Sequence, residues 1–160
     1  MRIDIFTLFP GMFAPMSESI MKRACEKGLA EINIHNIRDY AKDPHLADDI
    51  LYGGGAGMVL KPEPVMNALR AQGYQKGDTV IITSPAGRPF RQEDAAALSR
   101  ERRIFMIAGH YEGLDQRVAE LTGAAEYSIG DYVLTGGELP AMVMTDSIVR
   151  LLDGVLGDAA

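Results

Sequence analysis

A chain of 160 residues, 47% hydrophobic and 24% charged, can bury the core of one globular domain and gives no ground for a second. Its formal net charge of -6 disfavours non-specific attraction to nucleic acid, so any RNA partner must be held locally. No stretch is apolar enough to span a bilayer, the opening Met1-Arg2-Ile3-Asp4 has no secretion-signal pattern, and the lone Cys25 excludes an internal disulfide; a cytoplasmic protein is expected.

Ile3, Ile5 and Thr7 alternate with Asp4, Phe6 and Leu8, as in a largely buried strand, and Pro10-Gly11 stops it. Met12, Phe13, Met16, Ile20, Met21 and Ala24 fall at helical spacing and predict one helix from about Met12 to Lys27, ended by Gly28. Ile32, Ile34 and Ile37 predict a second strand. The polar residues 38–49 read as a long loop, in which Asp43, His45, Asp48 and Asp49 read as solvated side chains rather than a metal site. Tyr52-Gly53-Gly54-Gly55-Ala56-Gly57-Met58 follows as either a flexible connector or a binding lid.

Met58-Val59-Leu60 predicts a short strand, and Pro62 and Pro64 open a helix carrying Val65, Met66 and Leu69 that Gly73 closes. Thr79 to Thr83 is a β-branched run expected of a buried parallel strand; Ser84 to Pro89 reads as the loop leaving it, with a helix to about Arg100. Ile104 to Ala108 is the next strand and Gly109 to Gly113 its loop. Leu114 to Leu121 predicts a helix with Leu114, Val118 and Leu121 on one face. Strands alternating with helices give an α/β fold, a mostly parallel sheet flanked by helices.

In such a sheet, ligands bind beyond the carboxyl ends of the strands. Three segments meet that condition: Ser84 to Arg88, Gly109 to Gly113, and Ile129 to Pro140. The last belongs to Ser128-Ile129-Gly130-Asp131-Tyr132-Val133-Leu134-Thr135-Gly136-Gly137-Glu138-Leu139-Pro140, where Gly136-Gly137 allows a sharp turn and close backbone approach, and Glu138 and Pro140 suit the first turn of a helix. No dinucleotide, P-loop or serine-hydrolase signature occurs. The pocket therefore reads as one for a small, weakly anionic ligand.

These motifs together resemble the bacterial tRNA (guanine-37-N1)-methyltransferase family, TrmD. The resemblance covers the whole chain. It rests on Leu8-Phe9-Pro10, Asp48-Asp49 before the Tyr52 to Met58 run, Ser84-Pro85-Ala86-Gly87, Gly109-His110-Tyr111-Glu112-Gly113-Leu114-Asp115-Gln116-Arg117, the Ser128 to Pro140 segment and Gly154-Val155-Leu156-Gly157. It implies a SPOUT-type methyltransferase whose C-terminal part forms a trefoil knot, a topology that connection rules alone would exclude. It also implies S-adenosylmethionine as cofactor, tRNA as substrate, magnesium assistance, and an antiparallel homodimer in which each active site uses both chains. Two alternatives stand beside it: a non-enzymatic nucleotide-binding α/β module, and a SPOUT methyltransferase for another RNA position.

Carried over residue by residue, the resemblance implies a cofactor pocket of Ile82, Thr83, Ser84, Pro85 and Gly87, of Gly109, Tyr111 and Glu112, and of Ser128, Ile129, Gly130, Tyr132, Leu134, Thr135, Gly136, Gly137 and Pro140. It implies a charge-stabilising role for Arg150 and places Glu112 near the target guanine. Spacing alone favours a surface ion pair between Arg150 and Asp146, and Glu112 could equally pair with Arg117. His110 is assigned no catalytic role, and no metal-ligand set is assigned. Residues 1–160 are expected to form the S-adenosylmethionine-binding domain, with the aspartate proposed as general base and the tRNA-binding domain absent from this chain. On that expectation the chain binds cofactor and dimerises but methylates tRNA weakly or not at all.

Overall fold

The computed structural model describes residues 1–42, 60–109 and 114–157. The acidic residues at 43–49, the glycine cluster at 53–57 and most of the predicted strand at Met58 lie outside them, as do His110 to Gly113.

Among the described residues five strands form one sheet: β1 (Arg2–Thr7), β2 (Glu31–Asn36), β3 (Val80–Pro89), β4 (Arg103–Ala108) and β5 (Ala125–Ser128). Their order is β2-β1-β4-β3-β5, and every neighbouring pair is parallel. Helices α1 (Ser19–Glu26), α2 (Pro62–Ala71), α3 (Gln92–Leu98), α4 (Gln116–Thr122) and α5 (Glu138–Val149) supply the connections and cover the faces. The α/β reading and the parallel sheet are borne out.

Alternation along the strands splits the interior in two. Ile3, Ile5, Ile81, Ile104 and Met106 pack with Met21 of α1, Ala95 of α3 and Met144 and Ile148 of α5. Phe6, Val80, Ile82, Phe105 and Ile107 turn the other way, against Val65 and Leu69 of α2 and Val118 of α4. Burying both faces explains why the central strands are apolar at nearly every position.

The structure revises several predicted elements. The single helix from Met12 to Lys27 is divided into a 3₁₀ segment, Pro10–Ser17, and α1, with Glu18 extended between them and Ser19 at φ 53°. Pro15 lies inside the first segment, where it offers no N–H and disfavours the α conformation at Ala14. Ile37 opens a 3₁₀ turn, Ile37–Tyr40, rather than continuing β2. In α4, Val118 and Thr122 face the core while Leu121 is 58% exposed. Leu114 precedes the helix and bridges to Leu60. Gly28 and Gly73 take positive φ just past α1 and α2, as their places in the sequence lead one to expect.

The predicted loop at 84–89 is also changed: β3 runs to Pro89 as a bulged strand. Both Thr83 and Arg88 register with Tyr127 of β5, so residues 84–87 stand out of the ladder between them.

Candidate functional site

The site begins where α5 meets the ends of β1, β3 and β4. Gly137 caps the helix, and its N–H donates to the Gly109 carbonyl at 2.5 Å. The Thr83 hydroxyl reaches the carbonyls of Gly137 at 3.3 Å and Ile107 at 3.4 Å. A Cβ on Gly137 would collide with Thr83 Oγ1 and come within 2.7 Å of the Gly109 carbonyl oxygen. Gly137 has φ -89°, so its small size is used for contact between chain segments and not for a left-handed turn. Beside it, Glu138 is buried in the first turn of α5 and accepts a hydrogen bond from Thr7 Oγ1 at 3.1 Å, while Thr7 Oγ1 accepts from the Phe9 N–H at 3.0 Å.

Above this junction lies a cavity of about 530 Å³, within the range of sites that enclose a small molecule. It is bounded by the β3 bulge, by Gly109 after β4, and by the segment between β5 and α5. The three rims read from the sequence therefore converge. Ser128 shapes the third rim: its Oγ donates to the Gly130 carbonyl at 2.8 Å and accepts from the Gly130 N–H at 3.3 Å. A Cβ on Gly130 would strike the ring of Tyr132, which folds over it. Tyr132 and Val133 line the cavity and are 57% and 78% exposed, which places them at its mouth. Backbone groups, hydroxyls and apolar walls make up the lining, which suits a small organic ligand.

A family model described as tRNA (Guanine-1)-methyltransferase TrmD matches residues 1–160. The chain belongs to the TrmD family. Relatives named tRNA (guanine-N(1)-)-methyltransferase include one from Geobacter sp. (strain M21), 54% identical over 160 residues, covering 98% of this chain and 64% of the relative. Another, from Pelotomaculum thermopropionicum, is 55% identical over 164 residues, with 99% of this chain and 65% of the relative covered. One from Staphylococcus epidermidis is 53% identical over 162 residues, covering 100% and 66%. The chain thus spans just under two thirds of the length of these relatives.

In this member of the TrmD family, Ile82, Thr83, Ser84 and Pro85 line the cavity from β3, and Gly109 from the end of β4. Ser128, Ile129, Gly130, Tyr132, Leu134, Gly136, Gly137 and Pro140 line it from the third segment. Gly87 and Thr135 do not. Gly87 instead presses against β5, where a Cβ would come within 2.6 Å of the Glu126 carbonyl carbon and the Tyr127 nitrogen; Thr135 is exposed. Tyr111 and Glu112 lie outside the described residues. Arg150 is exposed at the C-terminal end of α5, away from the cavity lining, and among the described residues it forms no ion pair, with Asp146 or otherwise. Arg117 is held by Asp115, through Nε at 3.0 Å and Nη2 at 2.9 Å, and this contact lowers the Asp115 pKa.

Sequence reasoning missed Ala86, Leu114, Gln116, Glu126, Tyr127 and Val133 in the lining. Ala86 and Val133 lie inside motifs already singled out, so contiguity was a usable signal. Glu126 and Tyr127 belong to a four-residue strand with no clear apolar pattern of its own. Among the described lining residues the one charged side chain is an acid, Glu126.

Across β1, β2 and β4 a second polar centre went unread. Asp4 is fully buried and is contacted by His35 Nε2 at 2.8 Å, Arg2 Nε at 3.0 Å and Arg103 Nε at 3.0 Å. Burial pushes the Asp4 pKa up, but these donors outweigh it and bring it from 3.8 to about 2. Phe6 stacks on His35, with ring centroids 5.0 Å apart, and Arg103 lies over Phe105 at 4.3 Å. The network braces β1, β2 and β4, and none of its residues lines the cavity.

Proposed function

We propose that this chain is the methyl-donor-binding part of a tRNA guanine-N1 methyltransferase that acts on the guanine at position 37, next to the anticodon, with S-adenosylmethionine held in the cavity between the β3 bulge, Gly109 and residues 128–137. The observation that carries this reading is the convergence of three sequence-distant segments on one cavity, in a chain of the TrmD family. The lining suits the ligand: an apolar floor for a purine, hydroxyls and peptide groups for its edges, and no lysine or arginine among the described lining residues to attract a phosphate.

When bound, S-adenosylmethionine supplies a methyl group on a sulfonium that is already a good leaving group. The protein has to align guanine N1 with that methyl, take up the N1 proton and stabilise charge developing on O6. Arg150 is assigned the last role; its exposed guanidinium, free of any described carboxylate, is available to an incoming base. Glu112 is assigned a place near the target guanine. Thr83 and Glu138 fix the start of α5 and hold the cavity's shape.

The trefoil knot, the homodimer and the cytoplasmic location belong to the same proposal. The knot is carried from the resemblance; α5 begins beside Gly109 and runs back beside α1 and α3 onto the face of β1 and β4. Supporting the dimer, α5 leaves Leu139 50% exposed and Val143 46% exposed at i,i+4 spacing. Among the described residues no helix is long and apolar enough to cross a membrane, and no three metal-ligating side chains come together. Magnesium is carried from the resemblance with no ligands assigned. No general base and no grip on tRNA are assigned among the described residues.

Isothermal calorimetry with S-adenosylmethionine, competed by NAD and ATP, tests this reading. We expect about one site per chain and a preference for the sulfonium ligand or its demethylated product. No detectable heat at high protein concentration, or a preference for NAD or ATP, would overturn it.

A further inference from the structure

The cavity wall carries one formal charge among its described residues, on Glu126. Glu126 registers with Ile82 across the β3/β5 ladder, and both line the cavity. Tyr127, the next residue, also borders the cavity, but its ring packs edge-on against Phe90 at 5.3 Å between ring centroids, in the cluster of Ile81 and not that of Ile82. Glu126 thus shares the cavity side of the sheet with Ile82. The residue is half-buried, and no described residue gives its carboxylate a hydrogen-bond or ion-pair partner.

Among the described residues the surrounding charges do not offset it. Arg88, at the far end of the bulge, is paired with Asp94 at 3.1 Å, and Arg117, next to the lining residue Gln116, is paired with Asp115 at 2.9 Å. Asp131, exposed between the lining residues Gly130 and Tyr132, adds another negative charge near the mouth. A half-buried carboxylate facing an enclosed space acts on a ligand's charge through a medium less polarisable than water, so the ligand's net charge enters its affinity directly.

We infer that Glu126 is a specificity-determining residue that makes the cavity select adenosine ligands by charge, favouring the sulfonium donor over the neutral thioether left after methyl transfer, and both over phosphorylated adenosines. This rests on the donor-binding reading above. S-adenosylmethionine carries a sulfonium, an ammonium and a carboxylate, and is net positive. S-adenosylhomocysteine is net neutral, and AMP is negative. Loss of the methyl group therefore removes the charge that Glu126 holds, which loosens the product while the adenosine contacts stay unchanged.

The test is calorimetry of the 160-residue chain with S-adenosylmethionine, S-adenosylhomocysteine and AMP, repeated for Glu126→Gln and for Glu101→Gln. The second variant changes net charge equally at an exposed position outside the cavity lining. Wild-type affinity should fall in the order donor, product, AMP. Glu126→Gln should shrink the donor-to-product ratio by roughly three- to tenfold and the donor-to-AMP ratio by more, while Glu101→Gln leaves both unchanged. Ratios unaltered in a folded Glu126→Gln, or altered equally by Glu101→Gln, would overturn the inference and leave the donor site standing. Should Glu126→Gln not fold, the wild-type chain decides with an added probe, an analogue bearing a protonated amine in place of the sulfonium: it must bind more tightly than the thioether, and equal binding overturns charge selection. A wild-type chain that binds none of these ligands would instead overturn the donor-binding reading itself, and the inference with it.

Discussion

Thr83 and Gly137 touch across 54 residues of sequence, the hydroxyl of one reaching the carbonyl of the other at 3.3 Å, and this contact fixes where α5 starts relative to β3. Gly137→Ala puts a methyl into Thr83 Oγ1 and the Gly109 backbone. We expect a loss of about 1–3 kcal/mol in urea unfolding, together with weaker binding of S-adenosylmethionine. Adding Thr83→Ala should not restore the wild-type value, because the Gly109 peptide still lies within 2.8 Å of the new Cβ.

The buried Asp4 makes stability depend on acid. Its folded pKa of about 2 lies below the ordinary 3.8, so its contribution is fully present above about pH 4 and is lost as pH falls toward 2. The difference corresponds to about 2 kcal/mol. Urea midpoints measured across that window should fall more steeply for the wild type than for Asp4→Asn, which is less stable at neutral pH because Arg2 and Arg103 lose their counter-charge. Parallel curves for the two proteins would rule the network out as the source.

Arg150 presents the opposite case, an exposed cation that holds nothing together. Arg150→Ala should change unfolding free energy by less than about 0.5 kcal/mol and leave donor affinity intact. In a protein that also carries the general base and the grip on tRNA, the loss should appear in methyl transfer alone, on the order of a hundredfold in single-turnover rate. A matching loss of donor affinity would move Arg150 from the reacting base to the cofactor.

The exposed apolar pair on α5 gives a check on assembly. Light scattering should find the wild-type chain as a dimer, and Val143→Glu or Leu139→Glu should shift it to monomer without unfolding it. A wild-type chain that stays monomeric at high concentration would remove the dimer from the proposal.

The scaffold was legible where apolar periodicity dominates. Ile81, Ile104 and Met106 announce central strands because a parallel sheet covered on both sides leaves them no polar neighbours. The break at Glu18 was hidden because the apolar spacing continues through it, while Pro15 acts locally on the backbone. The rims of the cavity were readable as glycine-rich segments after strands, yet what their glycines do was not. Gly87 and Gly137 are small because other parts of the chain press on them, a contact between residues far apart in sequence. For the same reason Asp4 looked like one more alternating residue: its partners His35 and Arg103 arrive from β2 and β4. Glu126 was missed because nothing in four residues of an edge strand marks which way an acid points.

The doubled pairing of Tyr127 with Thr83 and Arg88 has an evolutionary implication. Since the ladder resumes on the same partner after 84–87, a residue gained or lost in that excursion alters one wall of the cavity while the rest of the sheet stays in step. That wall can then drift in descendants of this scaffold without jeopardising their folding.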